Sequence, residues 1–480
     1  MKVLFKYFLS SIFAVILLIA IPLAMFPSQV KIFMSESILP QIYNLPIVGA
    51  ELDLSRQVYM QQQRKHEGLV HYVIDNFTDY SIDLYDLPFP SYRWWRDKPT
   101  AYLEQSDDKV IIASGAGSFL YLDKDSIDKK NVIFNPIESN IRKIITDDLF
   151  YRPGSNSIKD LKVIEDFLYL SYTKKVSNDC YNVSVLRSKI DFNRLEFEKV
   201  FSPDECVNHG YKKQNGGRIF PYKDGKILLS VGSMNNNQEA QNKDSIFGKI
   251  ISFTPMKNEY EVLSMGHRNP QGLYYDALND VIINTEHQGL GGDEMNINIA
   301  PNSKVIKNYG WPISSYGSHY GGVEKDDEPL HDSHSDYGFV EPSIYFTPAL
   351  GISQIIRAPN ELSNNNSNDY LLSSMGYGVS EGGDMSLYQI RFDSDYSNLI
   401  ISDIIPIGER IRDLEILKDS NDILLILESI PAFAILHKKN YLCDKNKSPC
   451  HYDKKFIRSD PADSSKAIRT SYEDLLPLVK

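Results

Sequence analysis

The feature that most constrains the fold is a short pattern that recurs six times between residues 107 and 429. In each copy, a polar turn containing Asp or Asn leads into a run of apolar, β-favouring residues. The six copies are DDKVIIASG from Asp107, IEDFLYLSY from Ile164, KDGKILLSVG from Lys223, LNDVIINTE from Leu278, SNDYLLSSMG from Ser367 and SNDILLILES from Ser420. Self-similar segments spaced about 55 to 60 residues apart indicate a repeat architecture in which neighbouring units bury each other's apolar faces.

The repeats predict an all-β, six-bladed β-propeller. Each copy is typical of the tight turn and inner strand of a four-stranded blade, and the scarcity of helical periodicity argues against alternating strands and helices. One long gap, between the fourth and fifth copies, holds a stretch rich in Gly, Asp, His and aromatic residues, the insertion loop (residues 308–338). Such long loops in compact domains usually serve function. Its histidines, His319, His331 and His334, are either metal ligands or solvated loop residues.

The order of segments predicts four regions. These are an N-terminal signal anchor or transmembrane helix over residues 1–30, a stalk or N-terminal extension over 31–90, the propeller over 91–440 and a C-terminal extension over 441–480. The apolar run from Tyr7 to Phe26 is about as long as the hydrocarbon core of a bilayer requires. Lys2 and Lys6 precede it and favour a cytoplasmic N-terminus. No small-residue cleavage pattern follows, so an uncleaved anchor is favoured over a removed signal, and the body is expected on the periplasmic or extracytoplasmic side.

The cysteines indicate the compartment in which the protein folds, and the net charge indicates the kind of partner that it can bind. The four cysteines fall into two local pairs, Cys180 with Cys206 and Cys443 with Cys450, which are disulfide candidates in an oxidising compartment. Neither pair has the C-x-x-C spacing of a zinc site. The net charge of −12 argues against a nucleic-acid partner, because phosphate binding needs a basic face. A neutral or cationic small molecule suits this balance better.

An ordered set of motifs surrounds the fourth repeat. The set comprises NGGRIFPYKDGKILLSVG from Asn215, MGHRNPQGLYYD from Met265, NTEHQGLGGDEMNI from Asn284, KNYGWPISSYG from Lys307, EPSIYFTPALGIS from Glu341 and GERIRDLEILKDSNDILLILES from Gly408. From about Asn215 to Ser429 the chain resembles the glucose/sorbosone dehydrogenase family, in particular its soluble aldose sugar dehydrogenase branch. The resemblance implies a six-bladed propeller that uses pyrroloquinoline quinone (PQQ) and calcium to oxidise a sugar or related alcohol. It leaves the electron acceptor unknown.

The same resemblance implies roles for individual residues. Arg268 and Asn269 match the family's R-N pair, in which the arginine donates a hydrogen bond to the quinone carbonyl that receives hydride. Arg410 and Arg412 match arginines that face the cofactor's carboxylates and plane. PQQ carries three carboxylates, and guanidinium groups bind carboxylates through paired charge-assisted hydrogen bonds. His287 lies on a loop that contributes polar groups to the cofactor.

The sequence departs from the family pattern in the loop that contains His287, Gln288 and Gly289 (the calcium loop) and at two further positions. Gln288 and Gly289 match residues whose backbone carbonyls bind calcium, an ion that prefers oxygen ligands, although the family's proline is missing there. Gln214, in QNGGR, occupies the position of the family's histidine base. An amide does not accept a proton near neutral pH, so general-base catalysis of about 10²- to 10⁴-fold is lost at that position. Gly376 stands where an ungapped match places a cofactor-binding lysine.

Three hypotheses follow from these motifs. The first is a PQQ- and calcium-dependent oxidoreductase of the aldose sugar dehydrogenase type. The second is a catalytically inactive propeller that binds a saccharide or a protein partner near the membrane, and Gln214 and Gly376 motivate it. The third is a calcium-dependent lactonase of the same propeller class, for which only Asp293 and Glu294 are suggestive carboxylates.

Overall fold

The structure is a computed structural model whose strands form six separate sheets. It describes residues 80–89, 100–128, 132–151, 157–208, 214–320, 325–363, 368–376, 385–418, 420–428, 431–438 and 468–470. The predicted anchor between Tyr7 and Phe26 and the Cys443–Cys450 pair lie outside these residues. Within the described part of the chain, no helix has the length and apolar character needed to cross a membrane.

Blades 1 to 3 each contain strands in antiparallel succession with one short extra strand. Blade 1 consists of β2 (Ala101–Ser106), β3 (Lys109–Ser114), β4 (Phe119–Asp123), β5 (Asn135–Ser139) and β9 (Arg194–Leu195). Blade 2 consists of β6 (Ile158–Ile164), β7 (Phe167–Ser177), β8 (Cys180–Lys189), β10 (Glu198–Phe201) and β11 (Val207–Asn208). Blade 3 consists of β12 (Gly216–Pro221), β13 (Ile227–Val231), β14 (Lys249–Phe253), β15 (Tyr260–Met265) and β19 (Lys307–Asn308).

Blades 4 to 6 also contain four strands in antiparallel succession, and of these three only blade 4 has an extra strand within the described residues. Blade 4 consists of β16 (Pro270–Asp276), β17 (Val281–Glu286), β18 (Asp293–Ile299), β20 (Ile344–Phe346) and β28 (Ile468–Thr470). Blade 5 consists of β21 (Ile352–Arg357), β22 (Asp369–Ser374), β23 (Ser386–Phe392) and β24 (Leu399–Pro406). Blade 6 consists of β25 (Ile411–Ile416), β26 (Ile423–Leu427), β27 (Ala432–Lys438) and β1 (Tyr80–Asp86).

In the described part of the chain, helices are few and short, as expected for an all-β propeller. The α-helices are α1 (Lys124–Asp128), α2 (Ile141–Ile144) and α3 (Asn360–Ser363), and the 3₁₀ turns are Asp148–Tyr151, Lys223–Gly225, Asn237–Ala240 and Ser335–Tyr337. All of them lie between strands, so none interrupts a blade.

The innermost strands of the six blades form a closed ring. Each of β2, β6, β12, β16, β21 and β25 lies next to the following one, and β25 lies next to β2. Apolar side chains fill the space between successive blades in six clusters, one for each interface, within the described residues. Burial of these side chains holds the blades together, because among the described residues no strand of one sheet pairs with a strand of the next. The predicted six-bladed propeller is confirmed.

The six sequence repeats mark the same place in every blade. The apolar run of each copy forms the second strand, namely β3, β7, β13, β17, β22 and β26, and the polar turn joins it to the innermost strand. In β22 and β26 every residue is buried. Such strands are covered on both faces by neighbouring blades, which explains why the repeats appear as continuous apolar runs instead of alternating ones.

The ring closes through a strand that the sequence analysis assigned to the stalk. β1 pairs antiparallel with β27, from Tyr80 opposite Lys438 to Asp86 opposite Ala432. The propeller therefore includes Tyr80–Asp86, which lie before the predicted boundary at residue 91. The segment before residue 91 carries no copy of the repeat, because β1 is an outer strand and the repeat marks only inner ones.

Two further contacts concern the cysteines and the C-terminal extension. Cys180 and Cys206 form a disulfide with a Cα–Cα distance of 5.4 Å, as predicted for this pair. It ties the start of β8 to the segment just before β11. The extension supplies β28, which pairs in parallel with β20 and adds an edge strand to blade 4.

If β1 closes the ring, then Ile82→Ala should destabilise the whole propeller. Ile82 is fully buried in the cluster between blades 5 and 6, so the loss is expected to be about 2–5 kcal/mol in the free energy of unfolding. Urea denaturation measures it. Ser81→Ala, on the same strand and half-buried, should change stability by less than about 0.5 kcal/mol; equal, small effects of both changes would contradict ring closure by β1.

Candidate active site

A buried arginine from the QNGGR motif connects four of the innermost strands. Arg218 Nη1 lies 2.9 Å from Asp160 Oδ1 and 2.7 Å from Asp413 Oδ1. Its Nε donates to the carbonyl oxygen of Gln271 at 2.6 Å, and its Nη2 to that of Arg412 at 2.9 Å. These partners lie on β6, β25 and β16, so the guanidinium reaches across the ring's axis. This arginine has a structural role, and the two carboxylates compensate its charge.

The backbone conformation of the same motif explains why it contains glycines. Gly217 has φ +107, and a Cβ there would lie 2.3 Å from Cβ of Lys159 on the neighbouring blade. Only glycine adopts this backbone conformation and also lets two innermost strands come so close together. Gly216 N–H donates to Asn269 Oδ1 at 3.3 Å, which links blade 3 to the turn before blade 4.

A chain of hydrogen bonds joins the predicted cofactor residues of blades 4 and 6. Asn269 Oδ1 accepts from Gln271 Nε2 at 3.0 Å, and Gln271 Oε1 accepts from Arg412 Nη1 at 2.8 Å. Arg412 Nε donates to Glu428 Oε1 at 2.5 Å, and Arg410 Nη2 lies 3.3 Å from Glu428 Oε2. Since blade 5 lies between blades 4 and 6, this polar network (Asn269, Gln271, Arg410, Arg412 and Glu428) spans the centre of the ring.

Arg268 is held between aromatic rings beside this network. Its Cζ lies 5.1 Å from the ring centre of Trp311 and 5.7 Å from that of Tyr320. Its Nη1 donates to the carbonyl oxygen of His287 at 3.0 Å, and its backbone N–H donates to Glu286 Oε2 at 2.8 Å. Burial lowers the pKa of the Arg268 guanidinium, yet arginine stays protonated near neutral pH. The site therefore contains a fixed positive charge with little water around it.

Gln214 sits close to Arg268 but its oxygen is already engaged. Its Oε1 lies 2.6 Å from Ser233 Oγ and 3.3 Å from the backbone nitrogen of Asn235. Ser233 N–H in turn donates to the carbonyl oxygen of Arg268 at 2.8 Å. The position predicted for a base thus contributes a hydrogen-bond acceptor within the protein and no proton-accepting group.

The loop after β17 brings His287, Gln288 and Gly289 next to the same arginine. His287 Nε2 donates to the carbonyl oxygen of Ile352 at 2.7 Å, which leaves Nδ1 as an acceptor in the neutral ring. Burial lowers the pKa of His287, so the neutral form is favoured. Gln288 is buried and its Nε2 donates to Glu294 Oε2 at 2.9 Å. A Cβ on Gly289 would lie 2.5 Å from the carbonyl oxygen of Ser318, so the insertion loop packs directly on this turn.

The insertion loop is anchored by a buried histidine. His334 Nε2 lies 3.3 Å from Glu294 Oε1, with both side chains fully buried. Burial alone would lower the pKa of His334, but the Glu294 carboxylate outweighs it and raises that pKa. His331 stacks on Tyr337 at 3.8 Å between ring centres. Within the described ranges, no three His, Cys, Asp or Glu side chains are grouped as a metal site.

The remaining predicted positions are also near the network. Arg410 Nη1 donates to the carbonyl oxygens of Met375 at 2.6 Å and Gly376 at 3.2 Å. Gly376 thus offers the site a backbone oxygen where the family pattern has a lysine side chain. Asp293 Oδ2 accepts from the backbone nitrogens of Gly351 at 2.6 Å and Ile352 at 3.2 Å, which directs this carboxylate to the start of β21.

The sequence analysis missed the carboxylates that position the arginines. Glu286 and Glu428 occupy the same place in the fourth and sixth repeats, six residues after Asp280 and Asp422 respectively. Glu286 binds the backbone of the Arg268 turn, and Glu428 binds the side chains of Arg410 and Arg412. A comparison of the repeats with one another would have found this shared carboxylate, because the other four copies end without one.

Glu428→Gln should destabilise the protein and remove part of its acid sensitivity. Burial would raise the pKa of Glu428, but Arg412 and Arg410 outweigh it and lower the pKa to about 2. The stabilisation by this carboxylate is therefore complete above its unfolded pKa of about 4.3 and is lost as pH falls toward about 2. We expect a loss of about 3–5 kcal/mol at pH 7 in urea denaturation, because two buried cations lose their counter-ion.

The matched control is Glu261→Gln, which removes an exposed carboxylate 3.1 Å from Lys226. It should change stability by less than about 1 kcal/mol. A Glu428→Gln protein that is as stable as this control, or that keeps the native slope of stability between pH 4 and 2, would contradict the role given to Glu428.

Comparisons of the sequence with known proteins identify its family. The family model for Glucose / Sorbosone dehydrogenase matches residues 162–432, more than half of the 480-residue chain. An uncharacterized protein of Synechocystis is 29% identical over 274 residues, which cover 52% of this chain and 61% of the relative. The aldose sugar dehydrogenase of Escherichia coli is 28% identical over 192 residues, which cover 36% and 50%. The chain thus aligns with less than two thirds of the length of either relative.

Solved structures share the fold. A glucose dehydrogenase crystal structure has a TM-score of 0.55 at 20% identity, covering 70% of this chain and 96% of that one. The apo-form of the soluble aldose sugar dehydrogenase from Escherichia coli has a TM-score of 0.52 at 17% identity, covering 75% and 100%. The holo form of the pyranose dehydrogenase PQQ domain from Coprinopsis cinerea has a TM-score of 0.51 at 10% identity, covering 77% and 97%. By its matched segment and its six-bladed architecture, the chain belongs to the glucose/sorbosone dehydrogenase family.

Proposed function

We propose that the protein is a PQQ- and calcium-dependent oxidoreductase of the aldose sugar dehydrogenase type that oxidises a sugar or a related alcohol. The observation that carries the proposal is the polar network by which Arg410 and Arg412 of blade 6 are joined, through Gln271, to Asn269, the residue after Arg268. The names of the relatives support the substrate class, since they include an aldose sugar dehydrogenase and a glucose dehydrogenase.

The residues present fit an anionic, acceptor-rich cofactor. The Nε atoms of Arg268 and Arg410 are buried and have no hydrogen-bond partner among the described residues. A buried donor left unpaired costs about 1–3 kcal/mol, so a native structure that retains two such donors is suited to a ligand that supplies the acceptors. The carboxylates and quinone oxygens of PQQ are acceptors of this kind, and the backbone carbonyls of Gln288 and Gly289 are the proposed calcium ligands.

Each side chain then has a defined task. When bound, PQQ supplies a two-electron acceptor for hydride from the sugar carbon. Arg268 would face the cofactor with a fixed positive charge, and such preorganised charges need no reorganisation during reaction. Arg410 and Arg412 would hold the cofactor carboxylates, while Glu428 keeps both guanidinium groups in place. His287 contributes a polar ring from the calcium loop, and Asn269 orients Gln271 toward Arg412.

We also propose that the protein acts outside the cytoplasm. The Cys180–Cys206 disulfide supports this location, because disulfides persist in oxidising compartments and are rare in the cytosol. The proposed anchor between Tyr7 and Phe26 would keep the propeller at the membrane, where its unidentified electron acceptor would be reached.

Arg268→Ala tests the proposed oxidoreductase. The protein is reconstituted with PQQ and calcium, and dye reduction is followed over a panel of aldoses and alcohols. The wild type should bind PQQ at micromolar concentration, and Arg268→Ala should lower kcat by about 10²- to 10³-fold, because it removes the charge that stabilises the developing oxyanion. Arg187→Ala is the matched control, since Arg187 pairs with Glu198 between the outer strands β8 and β10 of blade 2, and it should leave kcat within twofold. Absence of PQQ binding by the wild type would refute the proposal.

A second candidate, a saccharide-binding propeller without catalysis, is favoured by one observation. Gln214 uses its oxygen within the protein and has no proton-accepting group, and Gly376 has no side chain. An inherited propeller keeps its fold when its chemistry is lost, because fold and function are separable.

Gln214→His separates the two candidates. If the native protein is an oxidoreductase that lacks an efficient base, the restored histidine should raise kcat of an already active enzyme by about 10²-fold or more. If dye reduction appears only in the double variant Gln214→His, Gly376→Lys, the native protein is a binding propeller. PQQ titration of each variant, measured separately from turnover, shows which change acts through cofactor binding.

A further inference from the structure

The insertion loop places one exposed aromatic ring directly over the arginine of the site. Tyr320 is 61% exposed, and its ring centre lies 5.7 Å from Cζ of Arg268. Trp311, on the other side of the same guanidinium, is only 3% exposed, and its Nε1 donates to Asn237 Oδ1 at 3.1 Å. Of the two rings that flank Arg268, only Tyr320 presents a surface that a bound molecule can cover.

The other described tyrosines of the insertion loop have different surroundings. Tyr316 lies between His334 and Tyr345, with ring centres at 5.3 Å and 3.7 Å. Tyr337 is exposed but stacks on His331. Tyr309 is fully buried. Tyr320 therefore combines exposure with proximity to the proposed reacting position.

Contacts between two loops hold the backbone close to this ring. Leu290 and Ser318 exchange two hydrogen bonds, of 2.7 Å and 3.0 Å, between the calcium loop and the insertion loop. A Cβ on Gly317 would lie 2.4 Å from the carbonyl oxygen of Gly291, so the two loops pack too closely to slide past each other. The backbone is thus fixed two residues before Tyr320, whose ring lies beside Arg268.

We propose that Tyr320 is a specificity-determining residue whose ring packs against the flat, C–H-bearing face of a pyranose and holds the sugar over Arg268. The inference deepens the proposed function and rests on it, because Arg268 marks the reacting position only if the cofactor binds there. Aromatic side chains with a polar end offer an apolar surface to such a ring and a hydroxyl to its substituents. Binding sites for small molecules are typically aromatic walls with a few convergent polar groups.

Three variants test the inference against D-glucose, a pyranose, and glycerol, an acyclic alcohol that lacks the flat face. Tyr320→Ala should raise KM for glucose about tenfold, equivalent to about 1.4 kcal/mol, with kcat within threefold and KM for glycerol within twofold. Tyr320→Phe keeps the ring and should leave both values within about threefold. Tyr337→Ala removes an exposed tyrosine of the same loop away from Arg268 and should change neither. PQQ titration should give the same affinity for all four proteins, which separates a substrate wall from a cofactor contact.

Saturation-transfer NMR provides a readout that does not require turnover. Glucose should receive saturation from the wild type and from Tyr337→Ala in the presence of PQQ and calcium, and much less from Tyr320→Ala. A wild type that binds PQQ and oxidises glucose, but whose KM and saturation transfer are unchanged in Tyr320→Ala, overturns the inference and leaves the proposed function intact. Equal increases of KM for glucose and glycerol overturn it as well. If the wild type fails to bind PQQ, the proposed function fails, and the NMR comparison alone decides whether Tyr320 contacts a sugar.

Discussion

The buried Arg218 guanidinium at the ring's axis is the interaction on which the rest of the structure depends. It comes from blade 3, and its two carboxylate partners, Asp160 and Asp413, come from blades 2 and 6. Removing one partner of such a buried pair typically costs 3–5 kcal/mol, since the remaining charge is left uncompensated. Blades 3 and 6 face each other across the ring. These contacts therefore form only when all six blades are assembled at the correct distance from the ring's axis.

The same device, a carboxylate that holds cations from another turn or strand, builds the candidate site. Glu428 neutralises Arg410 and Arg412, and Glu286 fixes the backbone of the Arg268 turn. Both carboxylates lie at the end of the second strand of their blades. The positive charges that would receive an anionic cofactor are therefore positioned by folding itself. This preorganisation is the condition under which fixed charges are most effective in catalysis.

The departures from the family pattern affect one part of the site and spare another. The network that joins Asn269 to Arg410 and Arg412 is continuous, and Arg268 precedes Asn269 in the chain. Gln214, in contrast, lies beside Arg268 through Ser233 but directs its oxygen to hydrogen-bond donors of its own chain. The electrostatic part of the proposed chemistry is thus present, whereas the proton-accepting part is not supplied by Gln214.

The sequence by itself determined the all-β class, the number of blades and the Cys180–Cys206 pair. A blade is a local unit of successive antiparallel strands, so its fully buried second strand leaves a readable apolar run in every repeat. The arginine positions were also readable, but only through the resemblance of their motifs to a known family. Tertiary structure alone decided that β1 completes blade 6, that Glu428 holds Arg410 and Arg412, and that Tyr320 lies over Arg268. Each of these contacts depends on which turns and strands the closed ring brings together, and apolar periodicity records whether a residue is buried but not which partner buries it.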